Sequence, residues 1–174
     1  MNTQCVCDAD GCFTDVVCRW PGATHDATIF ENSRLCHRLE TNELNGILLG
    51  DSAYPCCKYL LTPVLNPTSN AEKRYNADHV RTRNVIERTF GQWKQRFRCL
   101  KKLRLKLSVS QKVVVATACL HNYAKMLKIP LEEGNDNENV SNDNSNSEHN
   151  VDLDDNSCSG SIFRREIIQQ YFRH

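Results

Sequence analysis

The stretch "TRNVIERTFGQWKQRF" constrains the fold more than any other part of the chain. Ile86, Phe90, Trp93 and Phe97 recur at i, i+4, i+7 and i+11, which places four large apolar side chains on one stripe of a helix. A stripe of that size must be buried against a sheet or other helices, so the chain needs partner elements for it. Candidate strands lie at the start. "QCVCD" and "FTDVVCRW" are two alternating runs separated by "DADG", a strong hairpin signal. "GILLGD" supplies a third short strand. Between these, "ATHDATIFENSRLCHRLE" has helical spacing at Ile29, Leu35 and Leu39, with Thr24 or Asp26 as its expected cap. Residues 55–78 read as loop-rich, because Pro55, Pro63 and Pro67 separate short segments. "SQKVVVATACLHNYAKML" is apolar on most faces and is expected to be buried against several neighbours. Near the end, "SIFRREIIQQYF" is a short amphipathic piece whose Ile162, Ile167, Ile168, Tyr171 and Phe172 are candidates to dock on the domain.

Composition narrows the class. At 174 residues the chain is one domain with an appendage, and no run approaches the roughly 18 apolar residues of a membrane span. No secretory signal pattern opens it, so ten cysteines fit a reducing compartment better than a disulfide framework. Their spacings contain no CxxC pair of the kind zinc ribbons use. The net charge of +1 hides segregation. Residues 72–106 carry 12 Lys or Arg against three acids, a net of +9, and residues 132–155 carry nine acids and no Lys or Arg. The basic stretch is the footprint of a polyanion partner or a solvated helix face. The acidic stretch has almost no large apolar residue to offset its ordering entropy and is expected to be disordered.

Two acids carry the chemical interest. Asp51 ends the "GILLGD" strand, where an acid either caps a turn or faces a ligand. Glu87 sits one position from Ile86, at the edge of the buried stripe, and Gly91 lies four residues on, directly beneath it. Glycine inside a helix costs about 1 kcal/mol against alanine, which makes sense where something must approach the helix closely. A carboxylate at a strand tip and another on a helix are what a hard divalent cation uses. Equally, Glu87 with Arg83 at i−4 is an ordinary helix salt bridge.

Several blocks carry a resemblance. "RWPGATHDATIFENSRL", "LLGDSAYPCCKYLLTP", "AEKRYNADHVRTRNVIERTFGQWKQRFRCL" and "ATACLHNYAKM" together resemble the DDE superfamily endonuclease domain of PIF/Harbinger transposases, over roughly residues 1–130. The resemblance implies an α/β, RNase H-like fold, a mixed sheet flanked by helices with three acids that bind divalent metal. It implies Asp51 and Glu87 as catalytic and metal-binding residues, Mg²⁺ or Mn²⁺ as cofactor, and Asp26 of the "PG-x-x-HD" block as a further candidate ligand. The family's first Asp lies on a strand that would fall before Met1, so the chain is expected to lack that strand and to be inactive as given if nothing replaces it. Expected phosphate contacts are Arg81, Arg83, Arg88, Lys94, Arg96 and Arg98. The expected organisation is a partial endonuclease domain over 1–130, an acidic disordered linker over 131–158 and a short C-terminal helix over 159–174. The implied activity is cleavage of DNA phosphodiesters in the nucleus, or also the cytoplasm; the rival is a domesticated module that binds DNA or protein without cutting. The implied protein partner is a Myb/SANT-like DNA-binding protein.

Overall fold

The computed structural model describes residues 1–131 and 157–173, so the stretch expected to be a disordered linker lies almost wholly outside the described residues. The chain opens on the expected hairpin. β1 (Asn2–Cys7) pairs antiparallel with β2 (Phe13–Trp20), with Gln4 opposite Val17 and Val6 opposite Asp15. The turn is built by its own residues. The Asp8 carboxylate accepts the N–H groups of Asp10 and Cys12 at 3.0 and 2.8 Å, and Gly11 takes φ +74°, the left-handed region that glycine enters without penalty.

The single helix expected over 23–40 is two, α1 (Asp26–Glu31) and α2 (Arg34–Glu40). Asn32 closes the first, its side-chain amide bonding back to the Thr28 carbonyl at 2.8 Å. Ser33 then adopts an extended backbone and its hydroxyl accepts the Cys36 N–H at 3.0 Å, a standard N-cap that restarts the helix. Neither Thr24 nor Asp26 caps α1: the N-cap is His25, whose side chain makes no capping bond, and Asp26 is the first helical residue. There its charge faces the positive end of the helix dipole.

β3 (Leu48–Leu49) pairs in parallel with β4 (Leu60–Leu61), and the Gly50 N–H bonds the Leu61 carbonyl at 2.9 Å, carrying the ladder to the residue before Asp51. α3 (Asn70–Arg96) is 27 residues long and begins well before the apolar stripe. Its start corrects the loop reading of residues 70–78. Ser69 and Glu72 form a reciprocal capping box, with Glu72 accepting the Ser69 and Thr68 N–H groups at 2.9 and 2.8 Å. A 3₁₀ turn (Arg98–Lys101), α4 (Leu107–Met126) and α5 (Ser157–Tyr171) complete the described elements. Among the described residues no helix is long and apolar enough to cross a membrane.

The apolar stripe of α3 packs as its spacing requires. Trp93 is buried beside Phe13 of β2, ring centroids 4.8 Å apart and near edge-on, with Cys18, Val114 and Ala118 completing that cluster and Ile86, Phe90 and Phe97 packed against it. Burying side chains of this size contributes about 1.5–3 kcal/mol each. Asn122 of α4 locks the arrangement, its amide donating to the Phe13 carbonyl at 2.7 Å and accepting the Phe13 N–H at 2.8 Å. A second cluster gathers Phe30, Cys36, Leu39 and Leu60, with Leu48 and Tyr54 against it. α4 departs from expectation: only one face is buried, through Ser110, Val114, Thr117, Ala118, His121 and Ala124, while Val109, Leu120, Tyr123 and Leu127 are exposed. α5 docks through Ile168 and through Phe172, whose ring stands edge-on to Tyr75 at 5.7 Å, but Ile162 and Tyr171 face solvent. Where one mixed sheet was expected, the described strands form two separate two-stranded pairs.

Candidate metal centre

Asp51 follows Gly50 directly off the β3–β4 ladder, so the ladder fixes where its backbone leaves the strand. Its two carboxylate oxygens have different partners. Oδ1 accepts the Ala53 N–H at 2.9 Å, closing the turn towards Tyr54. Oδ2 lies 3.7 Å from Nη1 of Arg83 on α3. The other end of the same guanidinium, Nη2, bonds Glu87 Oε1 at 2.6 Å. Asp51 and Glu87, 36 positions apart in sequence, are therefore held on one cationic group. Arg83 is the most covered of the three, its side chain 28% exposed against 41% for Asp51 and 58% for Glu87.

Asp26 lies in the same neighbourhood without joining the fork. Its Oδ1 accepts the Asn2 side-chain amide at 3.0 Å, and Asp26, Asp51, Tyr54 and Arg83 all line one cavity. The Tyr54 phenol reports this environment. Burial pushes its pKa up, the carboxylates of Asp26 and Asp51 push it further, and Arg83 opposes them. His79, one helical turn before Arg83, is a neighbour that sequence reading missed. It is buried, its Nε2 lies 3.2 Å from the Leu61 carbonyl, and Nδ1 has no hydrogen-bond partner among the described residues. Burial lowers its pKa, with Arg83 and Arg164 acting in the same direction and Asp51 against them. The signal was the i, i+4, i+8 spacing of His79, Arg83 and Glu87, visible once the helix is started at Ser69.

Two carboxylates flanking one cation position suit a hard divalent ion, which needs only one or two protein carboxylates when waters and substrate phosphates fill its other positions. Among the described residues no group of three or more His, Cys, Asp or Glu is close enough to hold a metal ion. The nine cysteines from Cys5 to Cys119 are free thiols.

The six expected phosphate contacts separate. Arg81, Arg88, Lys94 and Arg98 are exposed. Arg83 is engaged by the two acids, and Arg96 donates from Nη2 to the Ile129 carbonyl at 2.9 Å, tying the end of α3 to the end of α4. Beside Gly91 there is open space: among the described residues, nothing beyond its chain neighbours and its own helix backbone lies within 4 Å of where a Cβ would stand. His121 is a core residue, 1% exposed and packed beside Phe13.

The DDE superfamily endonuclease family model matches residues 1–122. HARBI1 of Homo sapiens is 36% identical over 141 residues, covering 78% of this chain and 39% of the relative. HARBI1 of Mus musculus is 37% identical over 127 residues, covering 70% and 36%. Protein ALP1-like of Arabidopsis thaliana is 29% identical over 115 residues, covering 58% and 28%. The chain thus spans about two fifths of the length of the HARBI1 proteins it matches, and no solved structure matches it. Family model and relatives agree with the resemblance in the sequence blocks: the chain belongs to the DDE superfamily endonucleases, among the Harbinger-derived proteins.

Proposed function

We propose that this chain is the cutting domain, or part of it, of a Harbinger-type nuclease that acts on DNA phosphodiesters with Mg²⁺ or Mn²⁺, on an RNase H-like scaffold. The observation that carries the reading is the shared guanidinium: Asp51 and Glu87 reach the same cation from different elements. Asp51 and Glu87 would hold the metal, and Asp26, which lines the same cavity as Asp51, is the further candidate ligand. When bound, such an ion activates the attacking water or hydroxyl and stabilises the leaving oxygen. The protein's own part is orientation and charge. The turn bond from Ala53 holds Oδ1, so Oδ2 is aimed outward without further ordering. With Asp51 and Glu87 holding a metal, Arg83 would be free to pair with a substrate phosphate as a fork. Arg81, Arg88, Lys94 and Arg98 would track the DNA backbone, each adding to the salt dependence of binding, and the open lane beside Gly91 gives that backbone room. A DNA substrate fits work in the nucleus, or also in the cytoplasm.

Calorimetric titration of Mn²⁺ into wild type and Asp51→Ala tests the site, and equal binding by both would remove Asp51 from it. Plasmid nicking with and without Mn²⁺ tests the activity, which Glu87→Gln should abolish. A second reading is favoured by the lack of a three-acid cluster among the described residues: a module that binds DNA and a Myb/SANT-like partner without cutting. DNA binding retained in a chain that never nicks would select it.

A further inference from the structure

The main-chain oxygen of Leu61 is gripped by two parts of the fold at once. Within the β3–β4 ladder it accepts the Gly50 N–H at 2.9 Å. Nε2 of His79 on α3 lies 3.2 Å from the same oxygen. A carbonyl only accepts, so the proton sits on Nε2 and the imidazole is the donor. Burial favours the neutral ring; Arg83 and Arg164 act in the same direction, the Leu61 bond and Asp51 against them. The Tyr75 ring packs beside it, centroids 5.8 Å apart. Nδ1 has no hydrogen-bond partner among the described residues, and a proton there would be a buried donor with no acceptor.

His79 belongs to a seam along one face of α3. Asn76 accepts the Val64 N–H and donates to the Val64 carbonyl, both at 2.8 Å. The Tyr75 hydroxyl donates to the Thr62 carbonyl at 3.0 Å. His79 follows one turn on, at Leu61, and Arg83 one turn further, at Asp51 Oδ2. As α3 runs forward, the seam steps back from Val64 to Thr62 to Leu61, and the Gly50 bond carries it across to the residue before Asp51. The contacts close a ring: Asp51, Gly50, the Leu61 oxygen, His79, one turn of helix, Arg83, and Asp51 again. Tyr75 and Asn76 hold only the first turns of α3, which leaves His79 as the rung nearest Arg83. There is little slack to lose. Asp51 Oδ2 is already 3.7 Å from Arg83 Nη1, whereas groups at a working site must be held within about 0.5 Å.

We propose that His79 is a positioning residue, whose bond to the Leu61 carbonyl sets the register of α3 against the strand tip and so the reach between Asp51 and the Arg83–Glu87 turn. It acts through Leu61 and through the helix, by fixing where the two elements that carry the acids meet. Without that bond α3 can pivot about Tyr75 and Asn76, and the shared guanidinium moves relative to Asp51. The consequence for a bound cation rests on the metal reading of Asp51 and Glu87. The placement of Arg83 against Asp51 does not.

The test uses the full chain with two substitutions. His79→Gln keeps an N–H donor about where Nε2 stands, and His79→Leu fills the space without one; the Gly50, Tyr75 and Asn76 bonds remain in both. Nitrogen-15 spectra of wild type should show the His79 ring protonated at Nε2, and the Nδ1–H tautomer would overturn the proposal. Without metal, Asp51→Asn should move the Arg83 guanidinium resonances in wild type and in His79→Gln. In His79→Leu it should move them less than about half as far, because the two groups no longer meet. An equal response in all three backgrounds overturns the proposal. So does His79→Gln behaving like His79→Leu, which would reduce the ring to packing. With Mn²⁺, His79→Leu should bind about tenfold more weakly than wild type, the low end for groups that orient a metal ligand, and His79→Gln should stay near wild type. Asp51-dependent Mn²⁺ binding that is unchanged in His79→Leu would overturn the proposal as well. Mn²⁺ binding that Asp51→Ala leaves unaltered would instead remove the metal reading, and the guanidinium response alone then decides the role of His79.

Discussion

Replacing Arg83 by methionine removes the guanidinium that Asp51 and Glu87 share and keeps the aliphatic stem. Any metal entering between those acids in the wild type must first displace Arg83 from both. With the three side chains 28%, 41% and 58% exposed, solvent screens each pair, and pairs of this kind contribute about 0.2–1 kcal/mol. Two pairs therefore impose about 0.4–2 kcal/mol on the incoming ion, which at about 1.36 kcal/mol per decade is roughly a two- to thirtyfold loss of affinity. Arg83→Met should recover it: Mn²⁺ titrated at fixed ionic strength should bind that much more tightly than to wild type, while Arg83→Lys should stay near wild type. Raising the salt should narrow the gap, because exposed pairs are screened over about 8 Å at physiological ionic strength. Fold stability should fall by no more than the same sum, about 0.4–2 kcal/mol, since neither pair is buried. If Arg83→Met binds Mn²⁺ no better than wild type, while Asp51→Ala shows that a site exists, Arg83 does not occupy the metal's position.

Three further substitutions address the scaffold. Among the described residues Gly91→Ala meets nothing within 4 Å beyond its chain neighbours and its own helix backbone and should raise stability by about 1 kcal/mol in thermal unfolding; unchanged DNA affinity in the same variant would remove the reserved-lane reading of that glycine. Glu72→Gln should weaken the α3 capping box in a pH-dependent way. The Ser69 and Thr68 N–H groups hold the Glu72 pKa down to about 2, below its usual 4.5, so its stabilising effect is complete above the usual value and fades as pH falls towards 2. The melting-temperature gap between wild type and Glu72→Gln should accordingly close between pH 5 and pH 2. Gly160→Ala would drive a Cβ into the Cys56 carbonyl; with backbone on both sides α5 must lift, at about 1–3 kcal/mol, seen as faster amide exchange in Ser161–Tyr171.

What could be read from the sequence follows from how local each cause is. The hairpin was legible because its turn is built by Asp8 and Gly11 alone. The stripe of α3 was legible because 3.6-residue periodicity needs no partner to be seen. The first turns of the same helix were less legible because the prolines at 55, 63 and 67 signal loop just before the Ser69–Glu72 capping box, itself a sequence signal. With those turns went Tyr75 and His79, both buried. The break between α1 and α2 was also written locally, in Asn32 and Ser33, but a run of helical spacing outweighed it. The exposed face of α4 was not legible at all. An apolar sequence shows that a face can be buried, and only the placement of neighbouring elements decides whether it is.

Asp51 shows why a sequence posed its central question as a choice when the structure needs none. A carboxylate has two oxygens, and turn closure uses one. Oδ1 is spent on the Ala53 N–H, which fixes the side-chain torsion, and Oδ2 is consequently directed at Arg83. The turn is thus what makes the acid suitable as a ligand, because an oxygen already aimed loses little freedom when a cation arrives. Among the described residues Glu87 shows no such restraint: it is the most exposed of the three and it pairs with Arg83. If the two acids hold a metal as proposed, their parts would be unequal, with Asp51 the preset ligand and Glu87 the one to be drawn in. Such a cation site would be completed by ordering Glu87, and its affinity would be governed less by the strand tip than by how firmly Arg83 holds the helix acid before the metal comes.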